Sequence, residues 1–390
     1  MRTLAVCLCA FAVCLTTAAN AQLELPFSTS PIEQKYVRDQ EFTSPLTGKK
    51  FTAQVLSRPV GFGVRDFDGC PHPPLNALAY ALVIDPATGY VAYPEEFSKR
   101  VKWTTTELAT IVGKPRFPHG GTADAPWDGA FGWEKFENAA KLAQSAKSPA
   151  PVIANWWLQA AWSVRLDLIP AQADFADDLD RAAHGLPPLR RDPADLDTPY
   201  LLQLANSWAR HLNGEDQGTG TTPPTAHGKQ PPPVSVGDKS EKRSAGPPSI
   251  RSDQSFIADT DTGDGAIAVA WAYRACGELV AARQWLGRAK ADPGMASAPI
   301  YKYLDSSITL ERDYLTHAQH WLRQAYEGGD IRESQRGAAA FDLGEIARRL
   351  GQDSEAAQWY AEADGKPLGS VSPRVLERQK RIVVTKSVYP

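Results

Sequence analysis

The sequence predicts an α+β protein in which a short strand-rich region precedes a long series of helices. Two observations lead there. The hydrophobic period changes from two residues to about 3.6 near Thr104, and residues 264–384 repeat one helix-pair pattern. A third observation, an aromatic-free run over residues 214–255, separates two helical regions. These features divide the chain into a leader (1–21), an N-terminal extension (22–40), a β domain (41–103), a helical region (104–213), a linker (214–255) and a repeat region (256–390).

The leader reads MRTLAVCLCAFAVCLTTAANA: Arg2, an apolar run, then small residues ending at Ala21, the pattern of a cleavable secretory signal. No later stretch approaches the ~18 apolar residues of a membrane-spanning helix. The expectation is an exported chain, periplasmic or extracellular, with no membrane insertion after cleavage. Formal net charge is −3, or −4 once Arg2 leaves with the leader, which offers nothing to a phosphate backbone and speaks against nucleic acid as a partner. Cys7, Cys9 and Cys14 leave as well. Cys70 and Cys276 remain, either as two inert thiols or as one disulfide.

In the β domain, residues 50–56, 77–84 and 90–93 read as short strands between turns. Helix candidates follow at 107–112, 133–145, 151–166, 171–183 and 198–212. The linker holds five scattered aliphatic residues (Ala226, Val234, Val236, Ala245, Ile250) among many Pro, Gly, Ser and Thr. Such a composition cannot bury enough surface to offset its ordering entropy, so disorder is expected.

Beyond the linker, Val269, Ala270, Tyr273, Gly277, Ala282, Leu286 and Ala289 align in register with Leu343, Gly344, Ala347, Gly351, Ala356, Tyr360 and Ala363. Small residues at these spacings let paired helices approach, as in tetratricopeptide repeats. Ala318, Leu322 and Ala325 supply a third second-helix half, giving three expected helix pairs. A weaker echo, Ala161-Trp162-x-Val164-Arg165 beside Ala270-Trp271-x-Tyr273-Arg274, places the helices before the linker in the same stack. The fold expected is therefore a small antiparallel β domain on a tetratricopeptide-like α-helical solenoid.

Ser44-Pro45-Leu46-Thr47-Gly48 and Asp85-Pro86-Ala87-Thr88-Gly89-Tyr90 share one turn pattern, with Arg65-Asp66-Phe67-Asp68 between them. Downstream stand Leu343-Gly344-Glu345-Ile346-Ala347-Arg348-Arg349-Leu350-Gly351 and Glu355-Ala356-Ala357-Gln358-Trp359-Tyr360. This order resembles the bacterial "domain of unknown function 2225" family, which carries two Cys-Pro-x-Cys-Gly zinc knuckles around an Asp-rich middle, then tetratricopeptide-like helices. The resemblance implies a zinc-ribbon-like β domain. At the four Cys positions, however, this chain has Ser44, Thr47, Asp85 and Thr88. Neutral hydroxyls are poor zinc ligands and one carboxylate does not hold the ion alone, so the expectation is a degenerate knuckle with no metal. Pro45, Pro86, Gly48 and Gly89 still suit a turn, and Ser44 and Asp85 can accept from backbone amides.

Among chemical candidates, Arg65, Asp66, Asp68, Cys70 and His72 form the densest polar cluster, readable as an acid/base or cation site or as a structural tie. His317 and His320 stand one helical turn apart, without a visible third ligand. The loop 115–133, with His119, Asp124 and Asp128, either lines a pocket or joins sheet to helices through Trp127, Phe131 and Trp133. No Gly-x-Ser-x-Gly elbow, P-loop, dinucleotide fingerprint or His-Glu-x-x-His is present. The reading that results is an exported, non-enzymatic protein-binding module without a cofactor. Its partner is a protein or peptide, and its groove is assigned to Trp157, Trp162, Trp271, Tyr273, Arg274, Glu345, Arg348 and Arg349. The alternative is a hydrolase-like enzyme with a site at Asp66, Asp68 and His72.

Overall fold

A computed structural model describes residues 36–58, 66–71, 76–116, 122–167, 263–291 and 299–385, with single positions at 202, 205, 206, 209, 213 and 296. The leader, the helix candidate 171–183 and the linker 214–255 lie outside the described residues.

Two antiparallel hairpins form the β unit: β1 (Val37–Thr43) with β2 (Lys50–Leu56), and β3 (Val83–Ile84) with β4 (Val91–Ala92). The first pairs Val37 with Leu56 through to Thr43 with Lys50, which sets Phe42 opposite Phe51. Phe97 closes on both rings at 5.6 and 5.5 Å, and Val55, Leu82, Val83 and Val91 complete a small apolar centre. Two sequence expectations need correction. Strand β1 begins inside the stretch assigned to the extension: its one buried side chain is Phe42, so the alternation that marks a strand is faint. Residues 77–84 are not one strand, because a 3-10 turn at Ala77–Tyr80 comes first, capped by Asn76 Oδ1 accepting from Ala79 N–H at 3.3 Å.

Nine α-helices are described. Helix α1 (Thr105–Val112) starts at a capping box, with the Glu107 carboxylate accepting from Thr104 N–H at 2.8 Å and Thr104 Oγ1 accepting from Glu107 N–H at 3.3 Å. Then come α2 (Gly132–Ser145), α3 (Ala150–Asp167), α4 (Gly263–Ala275), α5 (Leu279–Ala289), α6 (Pro299–Glu327), α7 (Arg336–Leu350), α8 (Asp353–Ala363) and α9 (Pro373–Thr385). Positions 202, 205, 206 and 209 are also helical, with Leu202, Ala205, Asn206 and Ala209 all buried, the expected spacing of one packed face.

The two hairpins α4–α5 and α7–α8 agree bond for bond. Gly277 and Gly351 both take positive φ (74° and 80°), donating to Arg274 and Arg348 carbonyls at 3.0 and 2.9 Å. Glu278 N–H reaches Tyr273 O at 2.8 Å and Gln352 N–H reaches Ala347 O at 2.9 Å. Every residue of the aligned sets except the helix-ending Gly351 is buried, from Val269 and Ala282 to Ala356 and Tyr360. At Gly344 the two helices of the second hairpin meet closely: a Cβ there would stand 2.5 Å from the Tyr360 ring.

Among the described residues the third expected pair is absent. Between Pro299 and Gly328 there is no Gly or Pro to interrupt a helix, and α6 runs unbroken for 29 residues. One stretch of α6 packs along α3, and its C-terminal half faces α8 through Gln319, Arg323 and Tyr326, which bond Gln352, Glu355 and Glu362. Helix α6 thus joins the helices before the linker to those after it. No described helix is long and apolar enough to cross a membrane.

Candidate functional site

The paired turns face each other. In each, the first residue donates from its N–H to a carbonyl five residues on (Ser44 to Lys49, Asp85 to Tyr90, both 2.8 Å), and Gly48 or Gly89 donates back to it at 2.9 Å. The side chains match too: Ser44 Oγ accepts from Leu46 N–H and Asp85 Oδ1 from Ala87 N–H, while Thr47 and Thr88 hydroxyls each accept from the amide two residues on at 3.3 Å. Gly48 and Gly89 have φ of 71° and 74°, the conformation the turn demands. Between the turns, Ser44 Oγ donates to Asp85 Oδ2 at 2.5 Å, both residues buried. Helix α2 and the loop before it clamp the second turn: Asn138 Nδ2 donates to Gly89 O at 3.1 Å, Trp127 N–H donates to Pro86 O at 2.9 Å, and the Trp127 ring lies against Gly89.

Serine in this position serves two masters, satisfying its own turn and the facing carboxylate. Replacing Ser44 by Ala leaves Asp85 Oδ2 without this donor in a buried place. The expected loss is about 1–3 kcal/mol of unfolding free energy in urea denaturation, while exposed Thr47→Ala costs less than half of that. Equal midpoints for Ser44→Ala and the parent would contradict the assigned bond.

The second feature is a buried charge cluster. Arg165, at the last turn of α3, donates to Asp66 at 2.8 Å, to Asp68 at 2.7 and 3.1 Å, and to Glu311 of α6 at 2.7 and 3.1 Å. Arg274 pairs with the other Glu311 oxygen at 2.6 Å. Arg349 reaches Asp68 at 3.5 Å and Glu345 at 3.7 Å, and donates to Cys276 O at 2.9 Å. Arg348 joins Glu278 at 2.5 and 2.8 Å and Glu345 at 3.0 Å, and Tyr360 donates to Glu345 at 2.5 Å. Arg165, Arg274, Glu311 and Glu345 have no exposed surface.

Burial alone would raise the Asp68 carboxyl; Arg165 and Arg349 outweigh it and hold Asp68 far below the usual carboxylate range. Glu278 is likewise lowered, burial being overcome by Arg348. Arg274 is lowered, because burial and neighbouring Arg165 exceed what Glu311 returns. Geometrically the cluster is a clamp. The Asp66–Cys70 loop of the β unit is tied to α3 through Arg165, which also holds Glu311 of α6, and to α7 through Arg349, and Trp162 Nε1 donates to Asp68 at 3.3 Å.

The structure gathers most of the residues the sequence singles out, but inside. Asp66 and Asp68 do converge, on one guanidinium and away from solvent; Arg65 and His72 lie outside the described residues. Of the assigned groove residues, Trp157, Trp271, Tyr273, Arg274, Glu345, Arg348 and Arg349 are buried and Trp162 is half-buried. As surface for a partner they need correction: small residues bring the helices too close for these side chains to face a groove, and they fill the helix interfaces. Ser44, Thr47, Asp85 and Thr88 come together as two facing turns. Arg165, Glu278 and Glu311 carry the cluster and the sequence reading passed over them as site residues. The signal for Arg165 was the Trp-x-x-Arg echo, since Arg165, Arg274 and Arg348 all sit in the last turn of their helices.

Cys70 and Cys276 are separate, buried thiols. Burial pushes both up, which makes them poor nucleophiles. His317 stacks on Trp157 at 4.5 Å and His320 meets the edge of Trp321 at 5.5 Å, so each imidazole has an aromatic neighbour. In the loop 115–133, Trp127 and Trp133 are buried anchors and Asp124 and Asp128 are exposed; His119 lies outside the described residues. Among the described residues no three His, Cys, Asp or Glu side chains are grouped to hold a metal ion. No protein-family model, curated protein or solved structure matches the chain significantly.

Proposed function

We propose that this chain is an exported, non-enzymatic protein-binding module: a β unit of degenerate zinc-ribbon type fixed to tetratricopeptide-like helix hairpins, whose outer faces receive a protein or peptide. The observation that carries the reading is the clamp on Asp66 and Asp68. A general acid or nucleophile has to reach its substrate. These carboxylates, the strongest catalytic candidates in the sequence, are instead buried against Arg165, with Asp68 locked in its ionised form. The bond-for-bond agreement of α4–α5 with α7–α8 supports the repeat part of the proposal, and the matched turns at Ser44 and Asp85 support the ribbon part.

The faces left for a partner differ from those read in the sequence. Trp321 on α6 and Trp359 on α8 stay half-exposed, whereas the repeat-position residues are interior. Photo-crosslinking residues placed at Trp321, Trp359 and, as a control, Lys50 on β2 test the proposal in the native cell envelope. One protein band captured from the α6 and α8 positions and not from Lys50 is the expected result. Capture from no helical position, or a hydrolytic activity that Asp68→Asn abolishes while the fold stays intact, would overturn it.

A further inference from the structure

Helix α9 (Pro373–Thr385) sets Leu376, Gln379 and Val383 on one stripe, at i, i+3 and i+7, and all three are buried. Leu376 and Val383 join the apolar cluster of α7 and α8 that includes Ala340, Leu343, Ala356 and Tyr360. Gln379, between them, has no exposed surface, yet among the described residues neither its amide oxygen nor its amide nitrogen has a hydrogen-bond partner. A buried amide in that condition gives up its hydration and gains nothing in return. Of the polar ties of α9 among the described residues, Lys380 meets Asp364 at 2.8 Å with both partly in solvent, a kind of pair that adds little, and Arg378 lies over the Phe67 ring at 5.5 Å. Helix α8, by contrast, is bonded to α6 through Gln319 and Tyr326 and to α7 through Tyr360. Leu368 anchors the loop ahead of α9, and Gly369, with φ of 64°, gives a joint after that anchor.

We propose that α9 is a releasable strap, and that its seat on α7 and α8 takes an amphipathic helix of a partner protein that repeats the Leu376–Gln379–Val383 stripe with an apolar residue in place of Gln379. Nothing on the seat bonds the Gln379 amide, so the seat suits an apolar side chain at that point better than the one α9 brings. A helix in a groove is read through its i, i+3 and i+7 residues, and a single polar one among them lowers stability while deciding which helix is accepted. An incoming helix with Met there keeps the contacts of Leu376 and Val383 and strands no amide, so it displaces α9. The inference rests on the protein-binding reading above and gives the partner a form.

The stranded amide sets how readily the strap opens. Gln379→Met, close to Gln in shape and without hydrogen-bonding atoms, makes amide hydrogen exchange of α9 in the full chain about tenfold slower. Gln379→Glu, which puts a carboxylate among apolar side chains, makes it about tenfold faster or more while the amides of α3 keep their protection. Equal acceleration of α3 and α9 in Gln379→Glu would mean that α9 opens only with the whole fold, and the strap would be refuted.

A fluorescein-labelled peptide of residues 373–385 carrying Gln379→Met tests the seat. It is added to the purified full chain, so its outcome is independent of whether Trp321 and Trp359 capture a protein in the cell envelope. The Met peptide binds about tenfold more tightly than the same peptide with Gln379, since only the second strands an amide. Gln379→Met in the chain, by holding the strap closed, weakens binding of the Met peptide about tenfold. Binding of neither peptide, or equal binding of both, would overturn the proposal.

Discussion

Replacing Arg165 by Met lowers the unfolding free energy by about 3–5 kcal/mol, the range found when one partner of a buried ion pair is removed and the other is stranded. Asp66 and Asp68 lose the guanidinium that holds them both, and Glu311 loses one of its two, keeping Arg274 at 2.6 Å. Methionine restores much of the volume, so the loss reports charge and not a cavity. Urea denaturation measures it, and adding Asp68→Asn to Arg165→Met recovers part of it, since one uncompensated charge is removed. Two independent sites would show no recovery.

The same substitution changes the acid limb of stability. Asp68 is depressed in the folded protein, so its contribution is present above the ordinary carboxylate value near 4 and is lost as pH falls below that. In Arg165→Met that acid sensitivity shrinks. A buried cluster of this kind is no guarantee of net stability over an apolar core of equal volume. What it does supply here is a fixed orientation, because each guanidinium bridges elements that otherwise share few side-chain bonds.

Gly277→Ala costs about 3 kcal/mol, from two sources that can be separated. Positive φ at a residue with a Cβ costs roughly 1–2 kcal/mol. The added methyl also collides with Arg349 Nη1, which is held on Cys276 O, and with the Arg165 guanidinium, which is held by carboxylates, and overpacking of this kind costs about 1–3 kcal/mol. Gly351, at the equivalent hairpin position, provides the control. Its φ is 80°, yet a Cβ there would meet only Val280 at 3.4 Å, so Gly351→Ala costs about 1 kcal/mol. Equal losses at the two glycines would mean that the guanidinium pair does not crowd Gly277.

Several elements are legible in the sequence because local chemistry fixes them. Strand β2, and α2 and α3 to within one residue, follow from periodicity, while α1 starts two residues before the expected Glu107, at a Thr104 cap the pattern did not mark. The two turns are legible because Pro, Gly and a first-position acceptor recur at the same spacing. The α4–α5 and α7–α8 hairpins are legible because close helix contact requires small residues in register. Strand β1 was hidden because polar residues stand on both of its faces and only Val37 and Phe42 are apolar, and α6 because a repeat pattern suggested a break that no residue in it can make.

The candidate site divides the same way. Sequence alone determined that Asp66 and Asp68 form a polar cluster, that Ser44 and Asp85 head matching turns, and that Arg274, Glu345, Arg348 and Arg349 are charged side chains on packed helices. Only the tertiary structure decided which way those charges point. A charged residue on a helix is ordinarily a solvated one, and its burial depends on a counter-charge from a distant segment, as when Glu311 arrives beside Arg165 from 146 residues away. Pairing of that kind is set by how α3, α6 and α7 converge on the β-unit loop. It leaves no period in the chain, and it turns candidate surface and candidate catalyst alike into the interior of one clamped structure.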